Sequence, residues 1–169
     1  MPGVRRIEIP EQALHRRYLA EGAYADCYAV VVDRRVTLAG FVEAFYTSWL
    51  FRLERWILAW TVDKPSSDDD ARWLANGDLQ AFAAWTVEAR APDQLLMCDY
   101  LGATRSWFMV FEVPDGATRL HFGSVVTART DPRTGRRALG RTYRWLLGFH
   151  KLYSRALLRA AAARLVGER

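Results

Sequence analysis

The chain has 169 residues, of which 51% are hydrophobic and 25% are charged, the balance of an ordinary globular protein. This length predicts one domain, residues 1–169, with a substantial core. The net charge of +5 is modest, and nearly all of the 24 basic residues are arginines. Such a modest excess argues against a nucleic-acid partner.

The sequence also lacks the signals of secretion, membrane spanning and metal binding. The N-terminus has no apolar signal-peptide stretch, and no apolar run reaches the ~18 residues that span a bilayer. Cys27 and Cys98 lie alone inside predicted strands, and no CxxC or HxxxH pair is present. We therefore predict a cytoplasmic protein with buried free thiols, no metal or other cofactor and no membrane insertion.

The first elements are a short lead-in and a strand. Residues 1–23 contain a helical turn after Pro10, in which we expect His15 to be at the surface. Tyr24–Asp33 alternates as a strand, with Asp26 on the same face as the tyrosines of that strand. Two interpretations of Asp26 remain open at this stage, an acid that meets solvent or an arginine, and a pocket acid.

A long apolar pattern follows, in one helix or two. Thr37 can cap a helix that continues to about Trp60, and the Thr47-Ser48 step could divide it. The predicted core stripe of this helix consists of Leu38, Val42, Phe45, Trp49, Leu53, Trp56 and Trp60. A serine followed by three aspartates then begins a short helix that Asn76-Gly77 ends. This explains the aspartates better than a metal motif does.

Four strands with turns about every ten residues predict an antiparallel meander. Their predicted ranges are Leu79–Ala89, Gln94–Tyr100, Arg105–Val113 and Ala117–Arg129. In the last of them we expect His121, beside Arg119, to be exposed.

The final predicted helix, Leu139–Leu165, carries two opposed stripes. The basic stripe consists of Arg137, Arg141, Arg144, Lys151, Arg155 and Arg159. The other consists of Leu139, Tyr143, Leu146, His150, Tyr153, Ser154, Leu157 and Ala161. The predicted fold class is therefore α+β, a curved antiparallel sheet wrapped around a long C-terminal helix, with a helix or helix pair after the first strand.

This element order resembles the helix-grip fold of the START-like (SRPBCC) superfamily, which includes polyketide cyclases and plant pathogenesis-related allergens. Tyr24-Ala25-Asp26-Cys27-Tyr28, Leu139-Gly140-Arg141-Thr142-Tyr143 and Gly148-Phe149-His150-Lys151 resemble a bacterial branch without an assigned function. A full helix-grip sheet has more strands than the five predicted here. The resemblance implies a cavity for an apolar or aromatic molecule between the sheet and the C-terminal helix.

Three functions fit these observations. The first is binding of a small hydrophobic molecule, with a cavity lined by Tyr28, Phe45, Trp49, Trp85, Met109, Phe111, Phe122, Tyr143, Leu146, His150 and Tyr153. The second is a cyclase, dehydratase or isomerase that uses His150 as general acid and base, oriented by Asp26 or Tyr143. A core histidine without a reaction is the simpler interpretation of His150. The third is an interaction protein that docks an acidic partner on its basic helix face.

Overall fold

A computed structural model describes residues 3–62, 65–127 and 141–167, with side chains for all of these except 57–62 and 141–151. Seven antiparallel strands form one sheet in the order β1-β2-β7-β6-β5-β4-β3. The strands are β1 Arg5–Arg6, β2 Tyr24–Val32, β3 Ala81–Phe82, β4 Trp85–Ala91, β5 Gln94–Asp99, β6 Thr104–Glu112 and β7 Thr118–Val126. The helices are α1 Arg17–Ala20, α2 Leu38–Tyr46, α3 Trp49–Val62, α4 Asp68–Asn76 and α5 Arg141–Gly167.

The predicted α+β class is confirmed: a curved antiparallel sheet wraps around the long helix α5. The face of the sheet that packs against the helices is called the inner face here. On β2 it carries Tyr28, Val30 and Val32. In the last turns of α5 the apolar side chains of Leu157, Leu158, Ala161, Ala162 and Leu165 are all buried.

The sheet has seven strands rather than the five predicted. The two additional ones, β1 and β3, are only two residues long, too short to show a period of two. β3 belongs to the predicted strand Leu79–Ala89, which is interrupted where Ala83 has a φ of 50°. A residue with positive φ does not continue a strand, so the chain turns there before β4 begins.

The N-terminal segment covers the opposite, outer face of the sheet, and two predictions are wrong because of it. His15 and His121, which we expected at the surface, are 0% and 4% exposed. They lie near the outer core cluster, in which Ala13 and Tyr18 of the segment pack against Cys27, Trp107 and other side chains of the sheet. The outer face is therefore a second packed layer.

The predicted core stripe of residues 38–60 is correct in its first half and wrong in its second. The helix divides at Thr47-Ser48, and Phe45 of α2 is buried. After the division the buried side chains are Phe51 and Arg55, whereas Trp49, Leu53 and Trp56 are exposed. The interruption rotates the second helix, so its apolar stripe points away from the core. The side chain of Trp60 lies outside the described residues.

Two local predictions agree with the structure. Ser67 caps α4 in a capping box with Asp70, as expected for a serine followed by acids. Arg155 and Arg159 on the basic stripe of α5 are exposed.

In the described part of the chain, we find no helix that is long and apolar enough to cross a membrane.

Candidate ligand-binding site

Three polar residues lie side by side on the inner face of the sheet. Asp26 on β2 pairs with Ser124 on β7, and Ser124 pairs with Ser106 on β6. Each is two residues from an aromatic residue of the inner core, and side chains two apart on a strand share a face. We call Asp26, Ser124 and Ser106 the polar row.

Asp26 is the buried end of the polar row. It is only 1% exposed. Its Oδ1 accepts hydrogen bonds from the hydroxyl of Ser124 at 2.6 Å and from the backbone N–H of Ser124 at 3.1 Å. Its Oδ2 accepts one from the Tyr24 hydroxyl at 3.1 Å. The interpretation of Asp26 as an acid that meets solvent or an arginine is therefore wrong, because hydrogen bonds within the fold hold the carboxyl group.

Two tyrosines next to Asp26 are neutral hydrogen-bonding groups. Burial, followed by the charge of Asp26, raises the pKa of Tyr24 far above its ordinary value. The same two causes, in the same order, raise the pKa of Tyr28. Both side chains therefore keep their hydroxyl proton near neutral pH and present a donor beside the carboxyl group.

Aromatic side chains from the predicted cavity lining share the inner side of the sheet with the polar row. Phe122 lies between Phe45, at a ring-centroid distance of 4.7 Å, and Phe108, at 5.3 Å. Trp85 is half-buried and packs against Phe51 at 5.7 Å. Tyr28, Phe45, Trp85, Phe122 and Tyr153 all contact the inner core cluster, so the fold places five of the predicted lining residues on one side of the sheet.

Three other predicted lining residues lie elsewhere. Trp49 is 73% exposed on α3. Met109 packs in the outer core cluster with Trp107, and Phe111, two residues further along β6, is 47% exposed. These placements correct the prediction for Trp49, Met109 and Phe111, none of which lines the space between sheet and α5. Strand β6 is apolar on both faces, so its sequence does not show which face is inner.

The remaining predicted residues are on α5. The side chains of Tyr143, Leu146 and His150 lie outside those the structure describes, so their roles stay predictions. Further along the helix, Ser154 is 1% exposed.

A second polar cluster, which sequence reasoning missed, joins α3 to α5. The Tyr153 hydroxyl donates a hydrogen bond to Oε2 of Glu54. Burial raises the pKa of the Glu54 carboxyl group, and the bond from Tyr153 partly offsets this shift. Within the described residues, the buried hydroxyl of Tyr46 has no hydrogen-bond partner. Glu54 is not part of the predicted core stripe, and the break at Thr47-Ser48 turns this side of α3 toward α5.

The described side chains include no group of three His, Cys, Asp or Glu residues arranged to hold a metal ion. The inner face carries hydrogen-bonding side chains within an aromatic core.

Comparison with known proteins does not assign this chain to a family. No family model matches the chain, and no curated protein matches it. Among solved structures, the crystal structure of CalU16 from Micromonospora echinospora aligns with 97% of this chain and 92% of that one, at 15% sequence identity and a TM-score of 0.33. The fold described above therefore rests on the strand order and helices of this chain, and its place in the START-like superfamily stays a prediction.

Proposed function

We propose that this protein binds a small, largely apolar or aromatic molecule between the inner face of its sheet and helix α5. The observation that carries the proposal is the polar row, which crosses three adjacent strands of a largely apolar inner face. Binding pockets for small molecules typically combine an apolar lining with a few polar groups that fix the orientation of the ligand.

The charge of the row indicates what kind of ligand it accepts. Asp26 supplies a carboxylate that accepts hydrogen bonds, and Tyr24 and Tyr28 supply neutral hydroxyls. An anionic ligand would be repelled by Asp26 in a setting of low dielectric constant. We therefore expect an uncharged ligand with a hydroxyl or amine donor, whose apolar body contacts rings such as Trp85 and Phe122.

Thermal unfolding in the presence of matched probes tests this proposal. We expect naphthol to raise the melting temperature and naphthoate, which has the same rings and a negative charge, to leave it unchanged. Ser106→Ala removes a half-buried hydroxyl of the row and should reduce the naphthol shift. Glu112→Gln changes an acid whose side chain is 67% exposed and should not affect the shift. Equal shifts with both probes, or none with either, would contradict the proposal.

The burial of Asp26 also favours a second candidate function, acid–base catalysis of the cyclase, dehydratase or isomerase type. In this proposal His150, four residues before the buried Ser154 and thus on the same helix face by periodicity, exchanges the proton. Asp26 or Tyr143 orients it. His150→Ala should then abolish turnover of a bound substrate while its affinity is retained. Undiminished turnover would remove His150 from the mechanism.

We also propose a third function, the docking of an acidic partner on the basic face of α5. The exposure of Arg155 and Arg159 supports it. Charge reversal at both arginines should abolish capture of an acidic peptide. Capture that survives the reversal would exclude this face.

A further inference from the structure

Helix α3 presents a stripe of large apolar side chains to solvent. Trp49, Leu53 and Trp56 are 73%, 50% and 62% exposed. They are four and three residues apart, which places them in line on one side of the helix. We call these three residues the outer stripe of α3.

The opposite side of α3 is firmly attached to the body of the protein. Phe51 is 3% exposed and packs on Tyr46 at a ring-centroid distance of 4.7 Å. Arg55, 8% exposed, donates hydrogen bonds to Oγ of Ser66 at 3.0 Å and to Oδ1 of Asp68 at 2.6 Å. The fold therefore fixes the orientation of the helix, and the outer stripe faces outward because the other side is used for packing.

A contiguous exposed patch of this kind usually marks an interaction surface, whereas single exposed apolar residues are common on any protein. Trp has an apolar ring system and one N–H donor, which suits it to the boundary between water and lipid. A helix whose apolar side carries Trp and Leu can lie in the plane of a membrane interface without crossing it.

We propose that the outer stripe of α3 docks the protein on the surface of an anionic lipid bilayer. The net charge of +5 attracts the whole molecule to such a surface. Arg52, next to Leu53 on α3, pairs with Asp68 at the start of α4, so this pair adds little local repulsion or attraction.

A second copy of the chain fits this surface less well. A stable dimer buries about 800 Å² per partner. An aromatic side chain buries about 150–250 Å² when fully covered, and these three are already partly covered, so what they still expose falls short of that area. Two copies that each carry a net charge of +5 also repel each other. A bilayer needs no minimum contact area, because each inserted side chain contributes separately.

This surface is separate from the inner-face site, and the proposal is independent of ligand binding. Its test is co-sedimentation of the full chain with phosphatidylcholine vesicles, with and without a quarter of phosphatidylserine. We expect sedimentation with the serine-containing vesicles and much less with the others. The combined change Trp49→Ser and Trp56→Ser should reduce partitioning by about tenfold or more, because it removes the two largest apolar side chains of the stripe.

Trp73→Ser is the matched control, because Trp73 is 50% exposed on α4 and lies outside the stripe. We expect this variant to sediment like the parent, and circular dichroism should show both variants folded, since all three tryptophans are exposed. The proposal is overturned if the parent sediments with neither vesicle, or if the stripe variant and the control lose binding equally. It is also overturned if sedimentation without lipid shows a dimer that the stripe variant abolishes.

Discussion

His15 in the N-terminal segment and His121 on β7 both lie close to Trp107 on the outer face of the sheet. The ring of His15 is 4.4 Å from that of Trp107 and the ring of His121 is 6.2 Å away. Burial lowers the pKa of each from 6.5 to about 4. For His15, a hydrogen bond to the backbone oxygen of Asp26 opposes the shift, whereas for His121 the charge of Arg119 adds to it. Both imidazoles are therefore neutral in the folded protein near pH 7.

This burial predicts a loss of stability in acid. Between pH 6.5 and about 4 the unfolded chain binds protons at these sites and the folded chain does not. The free energy of unfolding should therefore be independent of these groups above pH 6.5. Below it, each histidine should lower that free energy by about 1.4 kcal/mol per pH unit. Urea denaturation across this range measures the slope. The double variant His15→Gln, His121→Gln should flatten it, and an unchanged slope would contradict the assignment.

The backbone oxygen of Asp26 and the ring of His15 approach Gly123 so closely that a side chain at this position would not fit. A Cβ atom at this position would lie 2.7 Å from the backbone oxygen of Asp26 and 2.8 Å from Nε2 of His15. Because one of these is backbone, the clash cannot be relieved by a rotamer change. We expect Gly123→Ala to lower the free energy of unfolding by about 1–3 kcal/mol. Gly3→Ala, where a Cβ atom meets nothing within 4 Å, is the control and should change it by less than about 0.5 kcal/mol. Equal effects in urea denaturation would refute this reason for Gly123.

Truncation to alanine should lower the free energy of unfolding much more on the buried side of α3 than on its exposed side. Phe51 is 3% exposed, and its neighbour on the outer stripe, Leu53, is 50% exposed. Phe51→Ala should cost about 3–5 kcal/mol because it leaves a cavity in the aromatic core. Leu53→Ala should cost less than about 0.5 kcal/mol, since a surface substitution leaves no cavity. Comparable losses in chemical denaturation would mean that α3 is rotated differently from the description above.

The same helix shows how far sequence reasoning reaches. Apolar periodicity predicted a helix in this region, and the Thr47-Ser48 step suggested a division. Periodicity does not predict which side of the second helix faces the core after the break, because that orientation depends on packing with α4 and α5. The alternation of Tyr24–Asp33 was easier to interpret, because Asp26 and the tyrosines distinguish its faces. Strand β6 has apolar side chains on both faces, so its alternation alone does not show that Met109 and Phe111 lie on the outer one.

Across the molecule as a whole, the sheet is packed on both faces. Gln94 on β5 joins the N-terminal segment to the outer face: its Oε1 accepts from the N–H of Leu14 at 3.1 Å and from Nε1 of Trp107 at 2.9 Å. Its Nε2 donates to the oxygen of Gln12 at 3.1 Å. These partners are far apart in sequence, so no local pattern could show that His15 would be buried.

The candidate site also emerges only at this scale. Asp26 and the two serines of the polar row come from three strands, and only the register of the sheet brings them together. The sequence identified Asp26 and most of the aromatic surroundings as candidates. The sequence does not predict that Ser106 and Ser124 belong to the site, because their neighbours across the sheet are known only from the strand register.

Calorimetry with naphthol, an uncharged aromatic alcohol, on the parent and on Asp26→Asn shows whether the ligand reaches the polar row. A hydrogen bond to a charged group contributes about 1.5–3 kcal/mol. Removing the charge of Asp26 should therefore weaken binding by about tenfold or more, provided that thermal unfolding shows the variant folded. Glu112→Gln should bind like the parent. Equal affinities of all three proteins would show that the alcohol does not reach the polar row and would contradict the proposed function.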